Sequence, residues 1–171
     1  HGHMESVGYD MYLKLLGEAV SEEKGEAAPQ SADLDCLIDI SVNAHIPESY
    51  VESLTLRLDV YRRIADIRNK EDSLDVKDEL KDRFGEIPES VLGLIDIALI
   101  RNCANAMGIY EIRQTDTNVL LFVKEIKSPK VIELLSRLNG RAMLSAGNKP
   151  YITIRCGGGS SLDMLKKVFK I

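Results

Sequence analysis

The segment from residue 91 to residue 107 is apolar on nearly every side of a helix, and it constrains the fold more than any other part of the chain. At about 100° per residue, its apolar side chains cover most of the helix circumference instead of a single stripe. They are Val91, Leu92, Leu94, Ile95, Ile97, Ala98, Leu99, Ile100, Ala104 and Met107. Pro88 stands where a first helical turn tolerates proline, and Gly108 supplies a stop. Such a helix has to be buried, so the sequence predicts a central core helix.

The length and composition of the chain predict one folded domain with an extension. Its 171 residues are 44% apolar and 29% charged, with a net charge of −5, which is typical of a globular protein. Residues 1–5 are interpreted as the remnant of an expression tag, residues 6–33 as an N-terminal helix and flexible linker, and residues 34–171 as the main domain. No apolar run approaches the ~18 residues of a membrane span, so we expect no membrane contact. Three widely spaced cysteines without a C-x-x-C pair predict reduced thiols in a cytoplasmic protein.

The N-terminal extension carries a broad apolar face. Tyr9, Leu13, Leu16 and Val20 repeat at helical spacing. Two interpretations stay open: this face packs within the domain, or it packs against a preceding domain of a longer protein. The small, polar and proline residues that follow, at positions 25–33, predict a linker.

The remaining patterns predict an α+β domain. Alternating apolar residues at positions 36–42 indicate a strand, and two helices follow before the core helix. Turn residues at positions 115–118 and 146–150 predict two β-hairpins, at 109–124 and 141–155. One helix is predicted between the hairpins after Ser128 and Pro129, and a last one after Ser160. The expected fold is therefore a helical first half with one strand, then two hairpins alternating with helices around the central helix.

The first of those helices, predicted over residues 52–69, separates apolar and basic side chains. Leu54, Leu58, Tyr61 and Ile64 are predicted to be buried. The arginines predicted to face outward are Arg57, Arg62, Arg63 and Arg68. They form either a basic patch or ion pairs with acidic neighbours such as Asp59, Asp66 and the acidic residues that follow.

The next helix, which ends at Gly85, has an apolar side and an acidic side. Val76, Leu80 and Phe84 fall within an arc of about 80° and are predicted to face the core. Five carboxylates crowd into about 100° on the opposite side: Glu71, Asp75, Asp78, Glu79 and Asp82. Like charges three or four residues apart cost roughly a few tenths of a kcal/mol per pair. The arc is therefore either a solvated face or a docking surface for a basic partner.

The sequence predicts no catalytic, metal or cofactor site. His45 is the one histidine outside the tag remnant and has no Ser or Cys partner at short spacing. The glycine run at residues 157–159 precedes a helix but lacks the lysine of a phosphate-binding loop. A connector into a helix capped by Ser160 explains it better. A net charge of −5 with 5% aromatic residues also disfavours a nucleic-acid-binding surface.

Three blocks of sequence resemble the C-terminal regulatory domain of the bacterial transcription-repair coupling factors, the Mfd family. Residues 8–20 read G-Y-D-M-Y-L-K-L-L-G-E-A-V, residues 57–65 read R-L-D-V-Y-R-R-I-A, and residues 77–88 read K-D-E-L-K-D-R-F-G-E-I-P. The resemblance spans about residues 6–155. It implies a non-catalytic domain attached after an ATP-driven DNA translocase motor. Such a domain folds back on the UvrB-like module of the same protein, covers the surface that UvrA would bind, and thereby acts as an autoinhibitor.

The resemblance also implies specific site residues and partners. The acidic pair that faces basic residues of the UvrB-like module in this family matches Glu79 and Asp82, and Asp75 and Asp78 are added from their position on the same arc. ATP and Mg²⁺ would belong to the motor domains, and RNA polymerase and DNA would contact other domains of the parent protein. The alternatives are a nucleic-acid-binding accessory domain or a scaffold for RNA polymerase.

Overall fold

The computed structural model describes residues 35–171, which contain five helices and five strands. The helices are α1 Leu54–Ala65, α2 Lys70–Phe84, α3 Glu89–Ala106, α4 Pro129–Leu138 and α5 Ser161–Val168. The strands are β1 Leu37–Asp39, β2 Ile109–Gln114, β3 Asn118–Val123, β4 Ala142–Ser145 and β5 Tyr151–Arg155. The predicted α+β class is confirmed. The tag remnant predicted at residues 1–5 and the helix and linker predicted at residues 6–33 lie outside the described residues.

All five strands form one sheet in the order β1-β2-β3-β5-β4. The two predicted hairpins are present, and they join through antiparallel pairing of β3 with β5, where Leu121 lies opposite Ile152. Strand β4 forms one edge of the sheet. Strand β1, which pairs in parallel with β2, forms the other edge. The predicted strand over residues 36–42 is shorter in the structure, since only three residues of β1 pair with β2. Its alternating residues Cys36, Ile38 and Ile40 are nevertheless buried in the core.

Helix α3 is the centre of the core, as predicted. Val91, Leu94, Ile95 and Ile100 are fully buried, and the helix packs against α1, α2, α5, β1 and β2. Arg101 is also buried and donates a hydrogen bond to the carbonyl oxygen of Cys36 at 3.4 Å. None of the helices within residues 35–171 is both long and apolar enough to cross a membrane.

Helix α1 corrects two predictions. Val60 and Ile64 are buried, but Leu54 is 62% exposed because the helix begins at this residue and its first turn extends beyond the core. The side chain of Arg57 is only 13% exposed, so it does not face outward as predicted. Its guanidinium donates to the carbonyl oxygens of Val51 and Glu52, at 2.9 and 3.0 Å, in the segment that leads into the helix. The guanidinium also lies 3.4 Å from the exposed carboxylate of Glu48, so it has both backbone and charged acceptors, and the two carbonyls become satisfied.

Tyr50 ties the end of α2 to the segment before α1. Its hydroxyl lies 3.2 Å from the carbonyl oxygen of Leu80 and 3.0 Å from that of Gly85, and it donates to these acceptors. Carbonyls at a helix end lack intrahelical partners, so a side-chain donor there stabilises the terminus. Burial, and secondarily the negative charge of Glu86, raise the pKa of Tyr50 above its ordinary value. The hydroxyl therefore keeps its proton at neutral pH and remains a donor.

We expect Tyr50→Phe to lower the free energy of unfolding by about 1 kcal/mol at pH 7, since it removes this hydrogen bond. Because the pKa of Tyr50 is raised in the folded state, the stabilisation is present below the ordinary tyrosine pKa of about 10 and is lost as the pH rises through the folded value. The difference between wild type and variant should therefore shrink in alkaline solution. Urea denaturation at pH 7 and at pH 10.5–11 measures both effects.

Tyr110→Phe is the matched control, because the Tyr110 hydroxyl makes no hydrogen bond within residues 35–171. If the two variants unfold at the same urea concentration, Tyr50 does not hold the end of α2.

Candidate docking surface

Helix α2 carries all four predicted site residues and has defined ends. The Asn69 side chain accepts a hydrogen bond from the backbone N–H of Asp72 at 2.8 Å, and the Asp72 carboxylate accepts one from the N–H of Arg68 at 2.9 Å. At the other end, Gly85 adopts a φ of 89°, a conformation that favours glycine. Side-chain capping of this kind contributes about 1 kcal/mol. The helix is therefore a stable support for surface side chains.

The apolar side of α2 sets its rotation about its own axis. Val76 and Leu80 are buried, as predicted. Phe84 is half-buried, and its ring centroid lies 5.8 Å from that of Tyr50. The Arg83 guanidinium lies 4.9 Å from the centroid of the Phe84 ring. Rotating the helix would expose these apolar groups, at a cost of about 1.5–3 kcal/mol for each fully buried side chain. The opposite arc consequently faces solvent.

Three of the predicted site residues are exposed carboxylates without an internal partner. Asp75, Asp78 and Asp82 are all exposed. In the part of the chain that the structure describes, none of the three forms an ion pair or a side-chain hydrogen bond. Asp75 also lines a shallow depression with Arg63 and Asp72. These carboxylates repel one another across successive turns and remain free to bind a cation from outside.

Glu79 differs from its neighbours on the arc. Its side chain is 33% exposed, and each carboxylate oxygen contacts one arginine. Oε2 accepts from Nε of Arg63 on α1 at 3.0 Å, and Oε1 accepts from a terminal nitrogen of Arg83 at 3.2 Å. The structure thus places Glu79 and Asp82 on one helix face, as predicted, but Glu79 is occupied within the domain and Asp82 is not.

The arginines of α1 do not form a continuous basic patch. Arg62 lies 3.6 Å from Asp59, and Arg63 pairs with Glu79. Of the two interpretations left open by the sequence, ion pairing therefore holds for these two residues and also for Arg57, whose guanidinium lies 3.4 Å from the carboxylate of Glu48. Arg68 remains exposed. The sequence anticipated that the arginines of α1 pair with the acidic residues that follow, but Arg63 and Glu79 lie in different helices, and only the structure identifies them as partners. The pairing of Glu79 with Arg83 was not predicted, although their i,i+4 spacing favours it.

The other side chains considered as reactive in the sequence lie outside α2. No group of three or more His, Cys, Asp or Glu side chains within residues 35–171 is arranged to hold a metal ion. His45 has a buried Nδ1 without a hydrogen-bond partner there. Burial raises the pKa of the Cys103 thiol, which disfavours the reactive thiolate. Ser160 caps α5 by accepting a hydrogen bond from the backbone N–H of Asp163 at 3.2 Å. This agrees with the interpretation of the glycine run as a connector into a helix capped by Ser160.

Sequence comparisons identify relatives of one kind. The sequence model of the TRCF domain matches residues 40–133. The transcription-repair-coupling factor of Bacillus subtilis is 31% identical over 174 aligned positions, which cover 98% of this chain and 15% of the relative. The protein of the same name from Staphylococcus epidermidis is 33% identical over 135 positions, covering 78% of this chain and 11% of the relative. The chain thus spans less than one sixth of the length of these relatives.

A solved structure shares the fold. The crystal structure of the C-terminal domain of a transcription-repair coupling factor superposes with a TM-score of 0.69 at 17% sequence identity, covering 79% of this chain and 88% of the other. The match to the TRCF model extends from the end of the β1 segment into α4, so it includes α2 and the acidic arc. The chain belongs to the TRCF domain family, the C-terminal domain of transcription-repair coupling factors.

Proposed function

We propose that this domain is a non-catalytic regulator that docks through the acidic arc of α2 on a basic surface of the UvrB-like module of the same longer protein. The observation that carries the proposal is the set of three exposed carboxylates, Asp75, Asp78 and Asp82, which have no internal partner on a helix with a fixed orientation. Carboxylates one turn apart can contact one partner surface together. The docked domain covers the surface that UvrA binds and holds the protein in an autoinhibited state.

Docking within one polypeptide requires only a modest contact. A flexible connection of short length gives an effective concentration of about millimolar, so a weak interaction keeps the surface covered until a competing event displaces the domain. Exposed charge pairs contribute ~0.2–1 kcal/mol each, and more when they become desolvated. A contact of this kind can be released by a conformational change in the rest of the protein. ATP, Mg²⁺, DNA and RNA polymerase are then bound by other domains.

Glu79 has a different role from Asp78 and Asp82 in this proposal. Its ion pair with Arg63 links α1 to α2, its ion pair with Arg83 lies within α2, and together they neutralise much of its charge. To bind the UvrB-like module directly, Glu79 would have to give up Arg63 or Arg83. We therefore assign the docking contact chiefly to Asp78 and Asp82, and assign to Glu79 the positioning of α2 and a secondary contact.

Asp78→Arg combined with Asp82→Arg should leave the fold intact and weaken binding to the separately produced UvrB-like module by about tenfold or more. Surface substitutions change stability by only about 0.5 kcal/mol, whereas loss of a buried interfacial charge pair costs ~2–5 kcal/mol. Isothermal titration calorimetry measures the affinity and thermal denaturation measures the stability.

Glu125→Arg combined with Glu133→Arg is the matched control, because both residues are exposed and lie outside α2 while the change in net charge is the same. Equal losses of affinity in the two double variants would attribute docking to net charge and not to the acidic arc. If the Asp78 and Asp82 double variant lost its cooperative thermal unfolding transition, these two residues would be structural and not docking residues.

Glu79→Gln should lower the free energy of unfolding by about 0.5–1 kcal/mol, because it weakens two partly exposed ion pairs. Its effect on docking should be smaller than that of the Asp78 and Asp82 double variant. Urea denaturation in 0.1 M and 1 M NaCl tests the cause, since screening should reduce the difference from wild type. Glu133→Gln serves as a control without an ion pair within residues 35–171. A larger loss of affinity with Glu79→Gln than with the double variant would contradict the assigned roles.

Deleting the counterpart of residues 34–171 from the full-length protein should expose UvrA binding and raise basal ATP hydrolysis or DNA translocation. We expect this because a docked domain without chemistry of its own regulates by covering a binding site. UvrA affinity and ATP turnover are compared for intact and truncated proteins at the same salt concentration. If both values are unchanged, the domain is not an autoinhibitor, and a scaffold for RNA polymerase becomes the better assignment.

A further inference from the structure

A second charged surface lies at the other end of the chain and has the opposite sign. The C-terminal end of α4, the start of β4, strand β5 and helix α5 enclose a groove of about 920 Å³. Five of its lining residues are cationic: Arg137, Arg141, Arg155, Lys167 and Lys170. No aspartate or glutamate lines it. The chain as a whole has a net charge of −5, so this cluster of five cations has the opposite sign to the chain.

The cations of the groove are not paired with carboxylates of the described residues. Among the residues that the structure describes, none of the five forms an ion pair. Arg137 donates from a terminal nitrogen to the carbonyl oxygen of Val168 at 3.2 Å, which holds its guanidinium in place. Its Nε is buried and has no hydrogen-bond acceptor within residues 35–171. A buried donor without an acceptor is unfavourable for the free domain.

The groove also offers apolar surface between the cations. Leu138, Met143, Met164 and Val168 line it. Met143 is 69% exposed, although it lies in a strand. Methionine side chains are flexible and polarizable, and they adapt to apolar groups of different shapes. The surface therefore fits a ligand that combines negative charge with aliphatic side chains.

We propose that this groove binds an acidic protein segment that also carries aliphatic residues. The carboxylates pair with the arginines and lysines, and the aliphatic side chains cover Met143 and its apolar neighbours. Arginine binds carboxylate groups with two parallel hydrogen bonds, which adds geometric selectivity. This surface shares no residue with α2, so the domain has two independent docking surfaces of opposite charge.

A nucleic acid fits the groove less well than a protein segment. Single-stranded nucleic acids are bound by stacking of bases on aromatic side chains as well as by positive charge, and no aromatic residue lines the groove. A phosphate backbone would use the cations but leave the apolar lining, including the exposed Met143, without a partner. The apolar lining therefore favours a protein segment.

The test uses a displayed library of random 12-residue peptides, selected on the wild-type domain. Each enriched peptide is then synthesised with a fluorophore and titrated against wild type and against Arg155→Glu combined with Lys167→Glu. Both side chains are exposed, so the fold should be kept, and Arg137 is left unchanged because it contacts Val168. We expect enriched peptides that carry both acidic and aliphatic residues and that lose about tenfold or more in affinity with this variant.

Two further variants separate the possible causes. Lys124→Glu combined with Lys127→Glu makes the same charge change at exposed residues outside the groove and should keep peptide affinity within about twofold of wild type. Met143→Ser should weaken binding severalfold by removing an apolar contact. Thermal denaturation confirms that each variant is folded.

The proposal is overturned if no enriched peptide depends on Arg155 and Lys167, or if the dependent peptides are not acidic. It is also overturned if Met143→Ser has no effect and labelled single- or double-stranded DNA binds at about 0.15 M salt with the same dependence on Arg155 and Lys167. That result would assign the groove to nucleic acid.

Discussion

Burial of helix α3 is the constraint on which the rest of the fold depends. Its apolar side chains point in nearly all directions, and Leu94, Ile95 and Ile100 are completely removed from solvent. Each such side chain stabilises the folded state by about 1.5–3 kcal/mol relative to exposure, which requires other elements on every side of the helix. The sheet, α1, α2 and α5 supply them. The buried Arg101 satisfies the carbonyl of Cys36 next to β1 and thereby connects the core helix to the edge of the sheet.

The acidic arc depends on this core for its position, although its carboxylates are not part of the core. Val76 and Leu80 hold one side of α2 against the centre of the domain, and Tyr50 holds its C-terminal end. The exposed carboxylates therefore occupy fixed positions on a folded support, and a partner that binds them does not have to order the helix first. This lowers the entropic cost of association. The basic groove is likewise formed by packed elements, since α4, α5 and the second hairpin all contribute to it.

Local patterns predicted most of the elements and the identity of the acidic helix. Alternation, caps and turn residues located both hairpins, the core helix and the helix begun by Pro129, because these signals act within a few residues. The errors occurred at the first turns of α1, where the preceding segment and the position of the helix start decided the outcome, and not the spacing within the helix. Arg57 has the spacing of an outward-facing residue, yet it turns to the carbonyls of Val51 and Glu52. Leu54 has the spacing of a core residue, yet it lies at the helix start beyond the reach of the core.

The sequence by itself determined which segments are helices or strands and which sides of them are apolar, because periodicity and capping express local backbone geometry. It thereby located the four carboxylates of the candidate docking surface on one helix face. Only the tertiary structure decided which of them are available. Glu79 is bound by Arg63 of another helix, while Asp75, Asp78 and Asp82 have no partner within residues 35–171. The single sheet and the basic groove were also decided at that level. The pairing of β3 with β5, and the presence of Arg137 and Lys167 in one groove, depend on packing between segments that carry no mutual signal in the sequence.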